Sequence, residues 1–185
     1  MGADDGEMVD PIRHSLSLLL NAYGYNLYDK KNRARADDLL VREKTAGALA
    51  DASNALGALR TAYRRRFVPP PTREQPEAAP EHLARLQEIA DLQQRIATLE
   101  TRIRSASTPT QDSVWEHFRR EQTMLNQLLM ADYNLIAPAS DLRDSILPLT
   151  PIDWSDEIAA MLAGTVVQLD SAFRQRSSLL QLPGR

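Results

Sequence analysis

Apolar residues recur at helical spacing along most of this 185-residue chain. The clearest run is Leu83, Leu86, Ile89, Leu92, Ile96, Leu99 and Ile103, in which the steps from Ile89 onward are 3, 4, 3 and 4. Such steps place successive side chains on one narrow stripe of a helix, a seam shaped for another helix. Isoleucine and leucine alternate along it, the pattern of a parallel dimeric coiled coil. The strict part lasts only about two heptads, short of the three or four that specify a coiled coil. The spacing therefore predicts an antiparallel hairpin within the chain, with the preceding helix as partner.

That preceding helix is predicted over about Asn32 to Phe67, roughly 50 Å long at about 1.5 Å per residue. It carries a large stripe, Leu49, Ala52, Leu56, Leu59, Tyr63 and Phe67, and a small one, Ala46, Ala50, Ser53 and Gly57. The two stripes are about 100° apart around the axis, so the helix has two neighbours, and small side chains allow one of them to come close. If the protein dimerises, the small stripe is the expected face. Pro69, Pro70, Pro71, Pro76 and Pro80 make residues 68–80 a break between helices. The seam helix follows, from Pro80 to Ala106.

A short first helix is predicted from Asp10 as N-cap with Pro11 behind it, one apolar face of Ile12, Leu16, Leu19 or Leu20, and Tyr23, and an end near Gly24. A fourth helix is predicted from Gln111 to Ala137, faced by Val114, Phe118, Leu125, Leu129 and Ile136, broadened by Leu128 and Leu135, and ended by Pro138. Residues 139–150 read as short and partly helical. Thr150-Pro151-Ile152-Asp153 reads as a helix start. The last helix then runs to Leu180 with Trp154, Ile158, Met161, Leu162, Thr165, Val166, Leu169 and Phe173 inward. No segment alternates with period two between turns, so no sheet is expected. The fold class is all-α: a single-domain antiparallel helical bundle over 1–185, four long helices plus a short N-terminal one, with residues 1–9 flexible.

Composition adds little to this. Apolar and charged contents of 43% and 25% are ordinary for a globular domain. Aromatics are only 5%, so the core must be aliphatic, and the absence of cysteine excludes disulfides and thiolate chemistry. The acidic start and the short run Leu16 to Leu20 are unlike a signal peptide or a membrane span, so a cytoplasmic protein is expected. Net charge is −3 but uneven: residues 29–66 hold ten Lys or Arg against five Asp or Glu, and residues 107–185 hold six against ten. The simplest consequence is a basic helix laid against acidic ones; the alternative is a basic surface for an anionic partner.

Candidate chemistry is sparse. The three histidines, His14, His82 and His117, follow Pro11, Ala79 and Val114 by three residues, so the Glu-x-x-His pairs of metal-binding bundles are missing. Glu88 and Asp91 have the spacing of a magnesium-holding pair. The only upstream pair of that kind nearby, Glu74 and Glu77, sits among the prolines and cannot face one way from a helix. Nucleophile elbows, phosphate-binding glycine loops and dinucleotide fingerprints do not occur. No metal, cofactor or catalytic residue is therefore expected.

The most distinctive local segment is a tyrosine-rich turn with a basic flank: Tyr23, Tyr25, Asn26, Tyr28, Lys30, Lys31, Arg33 and Arg35. Aromatics beside cations suit a protein-binding hot spot, or stacking on bases with contacts to phosphates. Equally, the tyrosines suit an end cap of the bundle. Arg64-Arg65-Arg66 completes the C-terminal dipole of the long helix. The leading functional expectation is protein–protein contact, with self-association as a homodimer one form of it. Next comes a nucleic-acid or anionic-ligand regulator using residues 23–35, and third a small-molecule binder or enzyme with its pocket between helices.

Overall fold

The computed structural model describes residues 14–20, 31–68, 70, 78–109 and 112–181. Four long helices dominate it: α2 (Lys31–Phe67), α3 (Pro80–Ser105), α5 (Gln122–Ile146) and α6 (Asp156–Gln181). Two short helices accompany them, α1 (14–19) and α4 (Asp112–Arg120). No strand occurs among the described residues. The expected all-α bundle is what forms.

Pairwise contacts fix the topology. α2 packs on α3 and α5, and α6 packs on α5 and α3, so the four rods form a ring in the order α2, α3, α6, α5. Arg42 reaches Ala106 while Tyr63 reaches His82, so α2 and α3 run antiparallel. Arg176 meets Asp132 across the α5–α6 hairpin, which is likewise antiparallel. α3 and α6 run parallel, because Glu88 accepts from Trp154 near one end and Arg102 pairs with Asp170 toward the other. α2 and α5 run parallel by the same logic, with Asp38 and Asp132 sharing Arg176 and Asp51 acting on Arg143 further along. The bundle is two antiparallel hairpins laid side by side.

The seam behaves as its spacing predicts from Ile89 onward: Ile89, Leu92, Ile96, Leu99 and Ile103 are all buried. Leu83 is 49% exposed and Leu86 only partly covered, where the spacing drifts off the heptad. The small stripe of α2 is used within the chain. Ala46 is fully buried, and a Cβ at Gly57 would lie 3.0 Å from Gln93 Nε2 on α3. Ala50, Ser53 and Gly57 remain half-buried.

Three helix boundaries differ from the sequence pattern. The predicted fourth helix is split by extended backbone at Glu121 (φ −110°, ψ 101°), although nothing near it is Pro or Gly. The split lets α4 turn across the bundle and bury Trp115 and Phe118, with Trp115 Nε1 donating to Pro109 O at 3.1 Å. Pro138 does not end α5 but lies inside it. A proline there forfeits one backbone bond at a cost of about 3 kcal/mol; burial of Ala139, Leu142 and Ile146 beyond it outweighs that. Finally, Thr150 and Asp153 close a turn on each other, and Ser155 caps α6 through Ile158 N at 3.3 Å. Met161 is exposed, because it stands one residue, about 100°, off the inward stripe of Ala159, Leu162, Val166, Leu169 and Phe173.

Candidate functional site: a buried arginine–aspartate network and its cavity

The inward stripes of three helices carry charge where apolar residues would be routine. On α2, Asp38 and Arg42 precede Thr45 and Leu49 at helical spacing; on α5, Asp132 follows Leu125, Leu128 and Leu129; on α6, Arg176 lies between Phe173 and Leu180. Asp132, Asp38, Arg176 and Arg42 are 0, 1, 2 and 5% exposed. Burial at that depth requires paired charges, and the helix arrangement supplies them.

Arg176 is the hub. Its Nε donates to Asp132 Oδ1 at 2.6 Å and its Nη1 stands 2.8 Å from Asp38 Oδ1. The second oxygen of Asp38 lies 2.9 Å from Arg42 Nη2. Arg42 also donates to Ala106 O and Thr108 Oγ1, tying down the chain that leaves α3. Its Nε is buried and makes no hydrogen bond among the described residues. Charges alternate along the series Arg42–Asp38–Arg176–Asp132, which spans α2, α5 and α6; Asp37, next to Asp38 on α2, is fully buried as well.

Arg42, Asp38 and Arg176 form one wall of a cavity of about 740 Å³ at this end of the bundle. Arg102 and the hydroxyls of Ser105, Ser107, Thr108 and Ser177 add to its polar side; Val114, Phe173 and Leu180 are apolar. Arg102 is the solvent-facing cation, 45% exposed, paired with Asp170 at 2.5 Å and 5.7 Å from the centroid of the Phe173 ring. Asp170 also holds Arg174. Three arginines and four hydroxyl residues are among those lining a space of ordinary ligand size (about 300–1,000 Å³). Guanidinium is the side chain suited to carboxylate and phosphate oxygens.

The residues singled out from sequence fare unevenly. Tyr23, Tyr25, Asn26, Tyr28 and Lys30 lie outside the described residues. Lys31 and Arg33 belong to the first turn of α2, at the same end of the bundle as the cavity, and Arg35 is half-buried one turn before Asp38. His82 is half-buried: Tyr63 Oη lies 3.0 Å from its Nδ1 and Phe67 stacks on its ring at 4.9 Å. Glu88 and Asp91 are engaged by Trp154 and Gln87. Among the described residues no group of three or more His, Asp or Glu could hold a metal ion, and no helix is long and apolar enough to cross a membrane.

The basic helix α2 packs against α5 of the acidic half. One interhelical ion pair of α2 uses its acid, Asp38, against Arg176 of α6. Arg64, Arg65 and Arg66 stay exposed, with Arg66 over the Phe67 ring at 5.6 Å. The network itself was readable in outline, because charges of opposite sign at stripe positions announce buried pairs. The chain matches no protein-family model, no curated protein and no solved structure, so the site is read from its own geometry.

Proposed function

We propose that this protein binds a small organic anion in the cavity at the α3–α4 end of the bundle and acts as a ligand-responsive regulator. One observation carries the reading: the two deeply buried arginines, Arg42 and Arg176, line a cavity of about 740 Å³ together with the accessible Arg102. Burying guanidinium groups is costly, and a positively charged wall behind the accessible Arg102 suits an anion. The tie from Arg42 to Ala106 and Thr108 supports a regulatory role, since an anion competing for Arg42 would alter the α3–α4 connection.

A thermal-shift panel at fixed ionic strength tests this. Organic anions should raise the melting temperature, as ligands of the native state do, while matched cations should not. The Arg102→Gln variant should lose the response. Equal responses to anions and cations, or none, would remove the reading.

Protein contact is the second reading. It is favoured by exposed apolar side chains on the α5–α6 hairpin: Leu147, Ile152, Met161 and Val167. Sedimentation over a wide concentration range should then reveal self-association, and a monomer throughout would count against a homodimer.

A further inference from the structure

We infer that the ligand of the end cavity is an amphiphilic anion: a carboxylate-type head group on an apolar body. This rests on the anion-binding reading above and narrows it.

Charge sets the head group. The cavity lining holds three cations, Arg42, Arg102 and Arg176, and one anion, Asp38. Of the three cations Arg102 is the accessible one, 45% exposed. A carboxylate paired with Arg102 meets that positive lining.

Size and lining set the body. A lone carboxylate occupies a minor part of 740 Å³. The rest of the wall includes Ala106, Pro109, Val114, Phe173 and Leu180, against which only apolar matter gains by leaving water. Polar and apolar parts adjoin at one place, where the Arg102 guanidinium stands 5.7 Å from the Phe173 ring centroid. A head group on Arg102 has the aromatic wall beside it.

Isothermal titration calorimetry on the full chain with sodium octanoate, sodium acetate and 1-octanol, all below any micelle concentration, tests the inference. Octanoate is expected to bind at one site, at least tenfold tighter than acetate or 1-octanol, and at least fivefold more weakly to Arg102→Gln. That variant alters an exposed side chain and leaves Asp170 with Arg174, and circular dichroism checks its fold. Acetate binding as tightly as octanoate would overturn the amphiphile while leaving the anion reading standing. Octanol equal to octanoate, or octanoate binding unchanged in Arg102→Gln, would overturn both. Absence of binding by all three would overturn the amphiphile, and the thermal-shift panel then decides the anion reading separately.

Discussion

Arg176 and Asp132, 44 residues apart, meet at 2.6 Å with both side chains out of solvent, and the contact closes the α5–α6 hairpin from within. Removing one partner strands a buried charge, at a cost of about 3–5 kcal/mol, whereas replacing both by apolar groups is often neutral. Arg176→Met should therefore destabilise the protein by about 3–5 kcal/mol in urea unfolding. Arg176→Met with Asp132→Leu should recover most of that loss, because Asp38 keeps Arg42. A double variant no more stable than the single one would contradict the pairing.

Arg42 ties the end of α3 to α2 through Ala106 and Thr108. Lysine keeps the charge but not the fork of donors. Arg42→Lys should raise hydrogen exchange in peptides covering Ala106 to Pro109 and leave the seam from Ile89 to Ile103 as protected as before. Unchanged exchange at Ala106 would show that the tie does not hold the loop.

Helical glycines report on packing. Gly164 has open space around a Cβ, so Gly164→Ala should stabilise by about 0.5–1 kcal/mol through helix propensity alone. At Gly57 the new methyl meets Gln93 Nε2 at 3.0 Å, the far end of a flexible side chain. Gly57→Ala should gain less, and Gly57→Leu should cost about 1–3 kcal/mol by overpacking α2 against α3. Thermal unfolding of the three variants checks the order.

Asp153 titrates below the ordinary carboxylate range because Thr150 donates to it through both hydroxyl and backbone N–H. A folded value below the unfolded one means that the turn's contribution is present above the unfolded value. It is lost as pH falls through the folded one. Thr150→Val should move Asp153 upward in a carboxyl-carbon NMR titration. Asp144, held down by Arg143, should not move. An unmoved Asp153 would exclude the Thr150 hydroxyl as the main cause.

Much of the fold was legible because burial and period agree. Ile89 to Ile103 lie on one stripe and are buried together, and the antiparallel hairpin they imply is present. What the pattern missed depends on tertiary context. Pro138 reads as a stop, yet the core beyond it holds the helix together. The break at Glu121 has no local signal and follows from where Trp115 and Phe118 find cover. The site was the least legible part. The tyrosines and lysines of 23–35 form the most distinctive run in the sequence, whereas Asp38, Arg42, Asp132 and Arg176 sit singly on the apolar stripes. A charge at a stripe position shows that a partner must exist; which helix supplies it depends on two hairpins lying side by side.

An anion bound at this end of the bundle should engage the buried arginines. Arginine side-chain Nε–Hε NMR spectra recorded during an octanoate titration test it most directly. Arg42, Arg102 and Arg176 should shift together, with the Trp115 indole, which donates to the lining residue Pro109, following and the Trp154 indole, bonded to Glu88 at the far end, unmoved. Shifts confined to the exposed Arg64, Arg65 and Arg66, or no shift at Arg42 and Arg176 at saturation, would contradict it.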